Sequence, residues 1–167
     1  MNLSSTIQQK NIRVSLVITT YNSPIFLELV LKSVLKQRVF PSEVVIADDG
    51  STDETRLLID NYRKSFPVPL VHSWIPDRGF RVAKARNAAI AKAQGDYIIL
   101  IDGDMLLTPH FVEDHIRLMK AGRFVTGSRA RLKEKATAQR CANRNADIHI
   151  ASYGLSRRLV LLRIPWM

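Results

Sequence analysis

Cysteine is almost missing from this chain: Cys141 is the single one in 167 residues. An internal disulfide and a cysteine-based zinc site are therefore excluded. No apolar run approaches the roughly 18 to 20 residues of a membrane span. The opening stretch MNLSSTIQQK is polar and lacks an apolar signal core, which leads us to expect a cytoplasmic protein. Neither GxGxxG nor GxxxxGK(S/T) occurs, so two common glycine-rich phosphate cradles are absent. Acidic residues are scarce at one end. Residues 1–119 carry 14 Lys/Arg against 13 Asp/Glu, and residues 120–167 carry 11 against 2, which puts nearly all of the +10 net charge in the last quarter. Such a segment suits phosphates, anionic lipid headgroups or nucleic acid, and equally suits a solvated surface. No zinc pattern or aromatic-rich RNA motif accompanies it, so no nucleic-acid partner is expected. The lipid reading would make the protein peripheral at the inner membrane face.

What is present is an ordinary globular composition, 46% hydrophobic and 24% charged, long enough for one domain with a real core. Arg13 to Ile18 is short, apolar and rich in β-branched residues, as a buried parallel strand is. Thr19-Thr20-Tyr21-Asn22-Ser23-Pro24 breaks it. Ser23 can cap the next helix and Pro24 suits its first position. Leu27, Val30, Leu31, Val34 and Leu35 then recur at helical spacing. Glu43 to Ala47 reads as a second strand, followed by the turn Asp48-Asp49-Gly50-Ser51-Thr52. Ser51 and Glu54 have capping-box spacing, and Leu57, Leu58 and Tyr62 point the next helix toward the core. Val71 to Trp74 is a weaker third strand. Val82 to Ala93 is alanine-rich and helical, with Gly95 placed for its C-terminus. Tyr97 to Ile101 is the most apolar strand and runs into Asp102-Gly103-Asp104. A helix opens at Thr108-Pro109 and stops near Gly122. Arg123 to Thr126 reads as a fifth strand. Residues 131–147 read as loop or exposed helix. This alternation predicts a layered α/β sheet with parallel neighbours.

In open α/β sheets, ligands bind beyond the carboxyl ends of the strands. The polar clusters of this chain fall at those ends: Thr20-Tyr21-Asn22, Asp48-Asp49-Gly50-Ser51 and Asp102-Gly103-Asp104. Two carboxylates at Asp102 and Asp104 repel one another, and a divalent cation relieves that repulsion. Hard carboxylate oxygens suit Mg2+ or Mn2+. By itself, Asp-Gly-Asp is also a common polar turn. Asp49 can accept a hydrogen bond from a nucleobase imide or a ribose hydroxyl, yet Asp-Asp-Gly-Ser before a helix is also good turn chemistry. Arg78, Arg81, Lys84 and Arg86 form a basic stretch that can face a diphosphate or solvent. Arg86-Asn87 sits in an alanine-rich stretch, and pairing with a strand-end aspartate would explain the arginine structurally.

Taken together, VSLVITTYNSP, SEVVIADDGSTDET and DRGFRVAKARNAAIAKAQGDYIILIDGDMLLTPHFVEDH resemble family-2 glycosyltransferases with the GT-A fold. The wording is most similar to the subgroup of bacterial chondroitin-type polymerases and galactosyltransferase-like enzymes. The resemblance implies a Rossmann-like α/β/α fold with a mostly parallel central sheet. It divides the chain into an N-terminal tail (1–12), a nucleotide-sugar-binding domain (13–130) and a basic C-terminal segment (131–167). It implies that Thr20, Tyr21 and Asn22 border the base and ribose, that Asp49 meets the nucleobase, and that Arg86 and Asn87 line the donor pocket. Asp102 would lie near ribose and metal, and Asp104 would ligate Mn2+ or Mg2+. The implied reaction passes a sugar from a UDP-sugar donor to a hydroxyl of a glycan or lipid-linked acceptor, with inversion. The family's general base is an Asp or Glu pair well beyond the DxD motif. Only Glu134 and Asp147 follow Asp114, and neither has the expected surroundings. The expectation is a chain truncated before its acceptor half, with a nucleotide-sugar-binding module lacking the base as the alternative. Exposed sheet would then favour association into an oligomer.

Overall fold

The computed structural model of the chain describes residues 12–149 and 151–156. The N-terminal tail before Ile12 lies outside the described residues, as does the basic stretch from Arg157 on which the membrane expectation chiefly rests. The described residues alternate strand and helix as far as α4, and a further helix follows: β1 (Val14–Thr20), α1 (Pro24–Val34), β2 (Glu43–Asp48), α2 (Asp53–Arg63), β3 (Leu70–Trp74), α3 (Val82–Lys92), β4 (Tyr97–Ile101), α4 (Phe111–Leu118) and α5 (Glu134–Asn143). The strands form one parallel sheet in the order β3-β2-β1-β4.

Every residue of β1 and β2 is buried. That is why their sequences are continuous apolar runs and not alternating ones, since a central parallel strand is covered on both faces. On one face, Leu16, Ile18, Val44 and Ile46 pack with Leu27, Val30, Leu31 and Val34 of α1 and Ile59 of α2. On the other, Val17, Val45 and Ala47 meet Ala85 and Ala89 of α3. Small alanines let α3 lie close against the sheet. Each fully buried Leu or Ile contributes about 1.5–3 kcal/mol.

The strand order sets the position of the site. The chain steps outward from β1 to β2 to β3, then returns to place β4 on the other side of β1. A shared crossover hand then requires α3 on the face opposite α1 and α2. The switch point falls between the carboxyl ends of β1 and β4, where such sheets open a crevice.

Several local expectations are corrected. Arg123 to Thr126 forms no strand. Gly122 turns the chain at φ 72, Phe124 is 86% exposed, and nothing pairs with the outer edge of β4 among the described residues. Leu57 points outward, and Thr55 and Ile59 form the buried face of α2 instead. Leu35 follows the last turn of α1 and is exposed. Ser23 takes the N-cap position of α1, with Pro24 opening the helix, but makes no side-chain cap bond; its hydroxyl donates to the Tyr21 carbonyl. The Ser51/Glu54 capping box does not form, because α2 starts after Thr52 and Ser51 is engaged elsewhere. Helix α3 ends at Lys92, and Gly95 donates its N–H to the Ser15 hydroxyl.

Candidate functional site

Three strand ends and one loop build the site. At the end of β2, both aspartates are buried, Asp48 at 0% and Asp49 at 4% exposure. Asp48 is a structural acid. Its Oδ1 accepts the Ser51 N–H at 2.8 Å, and its Oδ2 lies 2.7 Å from Nε2 of His72 on β3. Burial acts to raise the Asp48 carboxyl, but the bonds from His72 and Ser51 together outweigh it and hold the group below the usual carboxylate range. A depressed folded pKa gives stability that is complete above the unfolded value, near pH 4, and is lost as pH falls through the folded value. Asp48→Asn should therefore lose stability at pH 6 and converge with the wild type below about pH 4, read as urea midpoints across that range. His72→Phe should cost about 1–3 kcal/mol at pH 6, by leaving the buried carboxylate short of a partner. Parallel pH profiles for Asp48→Asn and the wild type would disprove the role of the pair.

Asp49 is different. Its Oδ2 accepts the Arg81 N–H at 2.6 Å, while its Oδ1 is buried with no hydrogen-bond partner. A buried, unsatisfied carboxylate oxygen is costly, and such exceptions mark places where a ligand donor belongs. The backbone opens around it at Gly50 (φ +96), where a Cβ would stand 2.5 Å from the Asp77 Cα. Only glycine lets these two loops touch.

The end of β1 is stitched to the end of β2. Asn22, in left-handed backbone at φ 44, donates its N–H to the Ser51 hydroxyl, and its side-chain carbonyl accepts the Thr52 N–H. Asn22 is thus a loop clamp. Trp74 adds a bond from its indole N–H to the Ser51 carbonyl. Thr20 is buried. Tyr21 is half exposed, and its hydroxyl donates to Asp77 at 3.0 Å. That hydrogen bond and the Asp77 charge raise the phenol above its ordinary value, with a smaller push from Asp49.

At the end of β4, Gly103 lies directly on β1: a Cβ there would be 2.0 Å from the Thr19 carbonyl oxygen. The glycine of the Asp-Gly-Asp turn is required by this approach. Asp102 is partly exposed and carries two guanidinium groups, Arg86 at 2.6 Å on Oδ1 and Arg129 at 3.4 Å on Oδ2. Asp104 is exposed, with no side-chain hydrogen bond or ion pair among the described residues. Asn87 projects into solvent from α3, one position on from Arg86, so the structure separates the two members of that pair. Arg81 turns its guanidinium to the Pro76 carbonyl, which leaves it bracing its own loop.

No group of three or more His, Cys, Asp or Glu that could hold a metal occurs among the described residues. Mg2+ sites on nucleotides need fewer, since one or two carboxylates suffice when phosphate oxygens and water complete the shell. Asp102 and Asp104 fit that requirement. Sequence reasoning missed the His72–Asp48 pair, the Trp74 bond and Arg129. It also missed Gln37, whose side-chain amide bonds the Ser33 and Thr108 carbonyls and the Val112 N–H, fixing the segment after Asp104. These partners are distant in sequence and leave no local spacing signal.

A parallel sheet with helices on both faces and acidic residues at its strand ends is the layered arrangement of the GT-A fold, and comparison with known proteins agrees. Residues 15–159 match the family described as Glycosyl transferase family 2, and the chain belongs to that family. It is 36% identical over 101 residues to validoxylamine A glucosyltransferase of Streptomyces hygroscopicus subsp. limoneus, covering 59% of this chain and 22% of that protein. It is 31% identical over 97 residues to chondroitin synthase of Pasteurella multocida strain Pm70, covering 58% of this chain and 10% of that protein. Among solved structures, residues 1–349 of TarS from S. aureus in complex with UDP-GlcNAc superpose with a TM-score of 0.56 at 30% identity, covering 70% of this chain and 37% of that one. The chain thus spans well under half the length of these relatives.

Proposed function

We propose that this chain is the donor-binding part of a glycosyltransferase. It would hold a nucleoside diphosphate sugar, a UDP-sugar, for inverting transfer to a hydroxyl of a glycan or lipid-linked acceptor. The observation that carries the reading is the buried, unpaired Oδ1 of Asp49 at the rim of a switch-point crevice whose other side is Asp102-Gly103-Asp104. Asp49 accepts the imide N–H of uracil. Thr20 and Tyr21 border the base and ribose, and Asn22 sets the loop that carries them. Arg86 positions Asp102. Asn87 lines the outer pocket only through its place on α3. Asp104 and Asp102 hold Mn2+ or Mg2+, which supplies charge neutralisation as the diphosphate departs. The family resemblance and the UDP-GlcNAc bound to the TarS structure support a uridine donor.

Acceptor activation is assigned to none of the described residues. Asp147 is tied to Lys36, just past the end of α1, and Glu134 opens α5. A binding module without turnover is the second reading that this observation favours. No described helix is long and apolar enough to cross a membrane. A cytoplasmic location with peripheral contact to anionic lipid belongs to the same proposal, supported by the basic last quarter of the sequence, and so does association into an oligomer, supported by the outer edge of β4, which no strand among the described residues pairs with.

UDP with Mn2+ should raise the melting temperature by about 5–10 °C at a hundredfold excess over Kd. Asp104→Ala should remove the part that depends on Mn2+. A melting temperature indifferent to every nucleoside diphosphate, with and without metal, would reject the donor-site reading.

A further inference from the structure

Asp102 is the most heavily countered acid of the site, and its two partners are not alike. Arg86 projects from α3, is 37% exposed and approaches to 2.6 Å. Arg129 is 63% exposed, stands 3.4 Å away, and belongs to the stretch between α4 and α5 that carries no helix or strand. Each guanidinium takes one carboxylate oxygen. A divalent cation arriving at Asp102 therefore meets a carboxylate with both oxygens engaged and two positive charges beside it. Each oxygen keeps a free lone-pair direction, but a cation there repels the guanidinium groups at solvent-screened strength, which favours release of the weaker pair. The short bond from a helix is the one that stays. The long, exposed bond from irregular chain is the one that yields.

We propose that Arg129 is an exchangeable latch: it neutralises Asp102 in the nucleotide-free chain, leaves when the cation binds, and turns to the diphosphate. The latch rests on the donor-site reading above and extends it to a residue outside every motif of the sequence. A guanidinium released from Asp102 starts beside a proposed metal ligand, and guanidinium groups pair with phosphate oxygens in a two-pronged geometry that an ammonium cannot reproduce. The exchange couples two ligands. Cation binding breaks an ion pair and is weakened by it. Diphosphate binding gains the freed arginine and is strengthened by it. It also carries motion, because displacing Arg129 releases the link between the end of β4 and the segment that leads to α5.

The coupling has a signature of opposite signs, which a merely structural residue does not produce. Arg129→Gln should bind Mn2+ about two- to fivefold more tightly in the absence of nucleotide, the worth of an exposed ion pair. The same variant should bind UDP about fivefold more weakly at saturating Mn2+, for loss of a charge-assisted bond. Mn2+ binding is read from the electron paramagnetic resonance signal of the free ion, and UDP binding by calorimetry, both on the full chain. Arg129→Lys should restore part of the Mn2+ competition and little of the UDP affinity. Unchanged or weaker Mn2+ binding by Arg129→Gln, with the wild type binding both ligands, overturns the latch and leaves the donor site standing. A wild type that binds neither Mn2+ nor UDP overturns both.

Discussion

Replacing Gly103 with alanine is expected to lower the melting temperature by about 6–12 °C, the equivalent of about 3 kcal/mol in a domain of this size. The reason lies in one distance. The new methyl would sit 2.0 Å from the Thr19 carbonyl oxygen, and neither side of that contact is a flexible side chain. β4 would have to separate from β1 near their carboxyl ends, beside the Ile18–Ile101 pairing, or the turn would have to swing Asp102 and Asp104 away. Overpacking of a rigid contact costs about 1–3 kcal/mol or more. Gly127→Ala is the matched control, since a Cβ there meets nothing within 4 Å. Thermal and urea unfolding of the two variants should differ sharply. Equal melting temperatures for both would show that the close approach does not constrain the turn.

The second large effect separates binding from stability. Asp49→Asn preserves the shape of the side chain and an oxygen for the Arg81 N–H, but it places an amide N–H₂ where the unpaired oxygen now is. An imide N–H would then meet a donor. UDP affinity should fall by about 10- to 150-fold, the worth of a hydrogen bond to a charged group. Unliganded stability should change little, because an orphaned carboxylate oxygen is exchanged for an orphaned but neutral amide N–H₂ while the bond from the Arg81 N–H is kept. A variant that binds UDP like the wild type would remove Asp49 from the base-binding role, and calorimetry alongside urea unfolding measures both halves.

The elements that could be read in the sequence are those set by local physics. β1, β2 and β4 announce themselves as short β-branched runs. α1 shows its apolar stripe, and the strand-end clusters follow from where the runs stop. The ends of the elements were less legible. Ser51 and Glu54 have the spacing of a capping box, yet Ser51 is taken by Asn22 across 29 residues of sequence, and no local rule weighs that competition. Helical spacing points Leu57 toward the core, but α2 buries the smaller Thr55 instead. Arg123 to Thr126 has strand-forming residues and no partner to make it a strand. At the site, position at the strand ends made Asp49, Asp102 and Asp104 candidates, and their expected roles came from the family resemblance. What holds them (His72 under the Asp48 loop, Gln37 behind the turn, Arg129 over Asp102) depends on packing between distant segments.

The clamp formed by Asn22 also divides the crevice into unequal halves. The loops after β1 and β2 are cross-bonded by Asn22, Ser51, Thr52 and Trp74, whereas beyond the Gly103 contact the β4 side presents an exposed Asp104 and, over Asp102, a loosely held Arg129 from the stretch before α5. A set half loses little freedom when a ligand arrives, so it discriminates strictly. An adjustable half can reshape around what it receives. On the proposed reading, the nucleoside is the invariant handle and the group beyond the diphosphate is the variable cargo. A scaffold divided in this way can change its sugar by altering the β4 side alone, without rebuilding the grip that recognises the carrier.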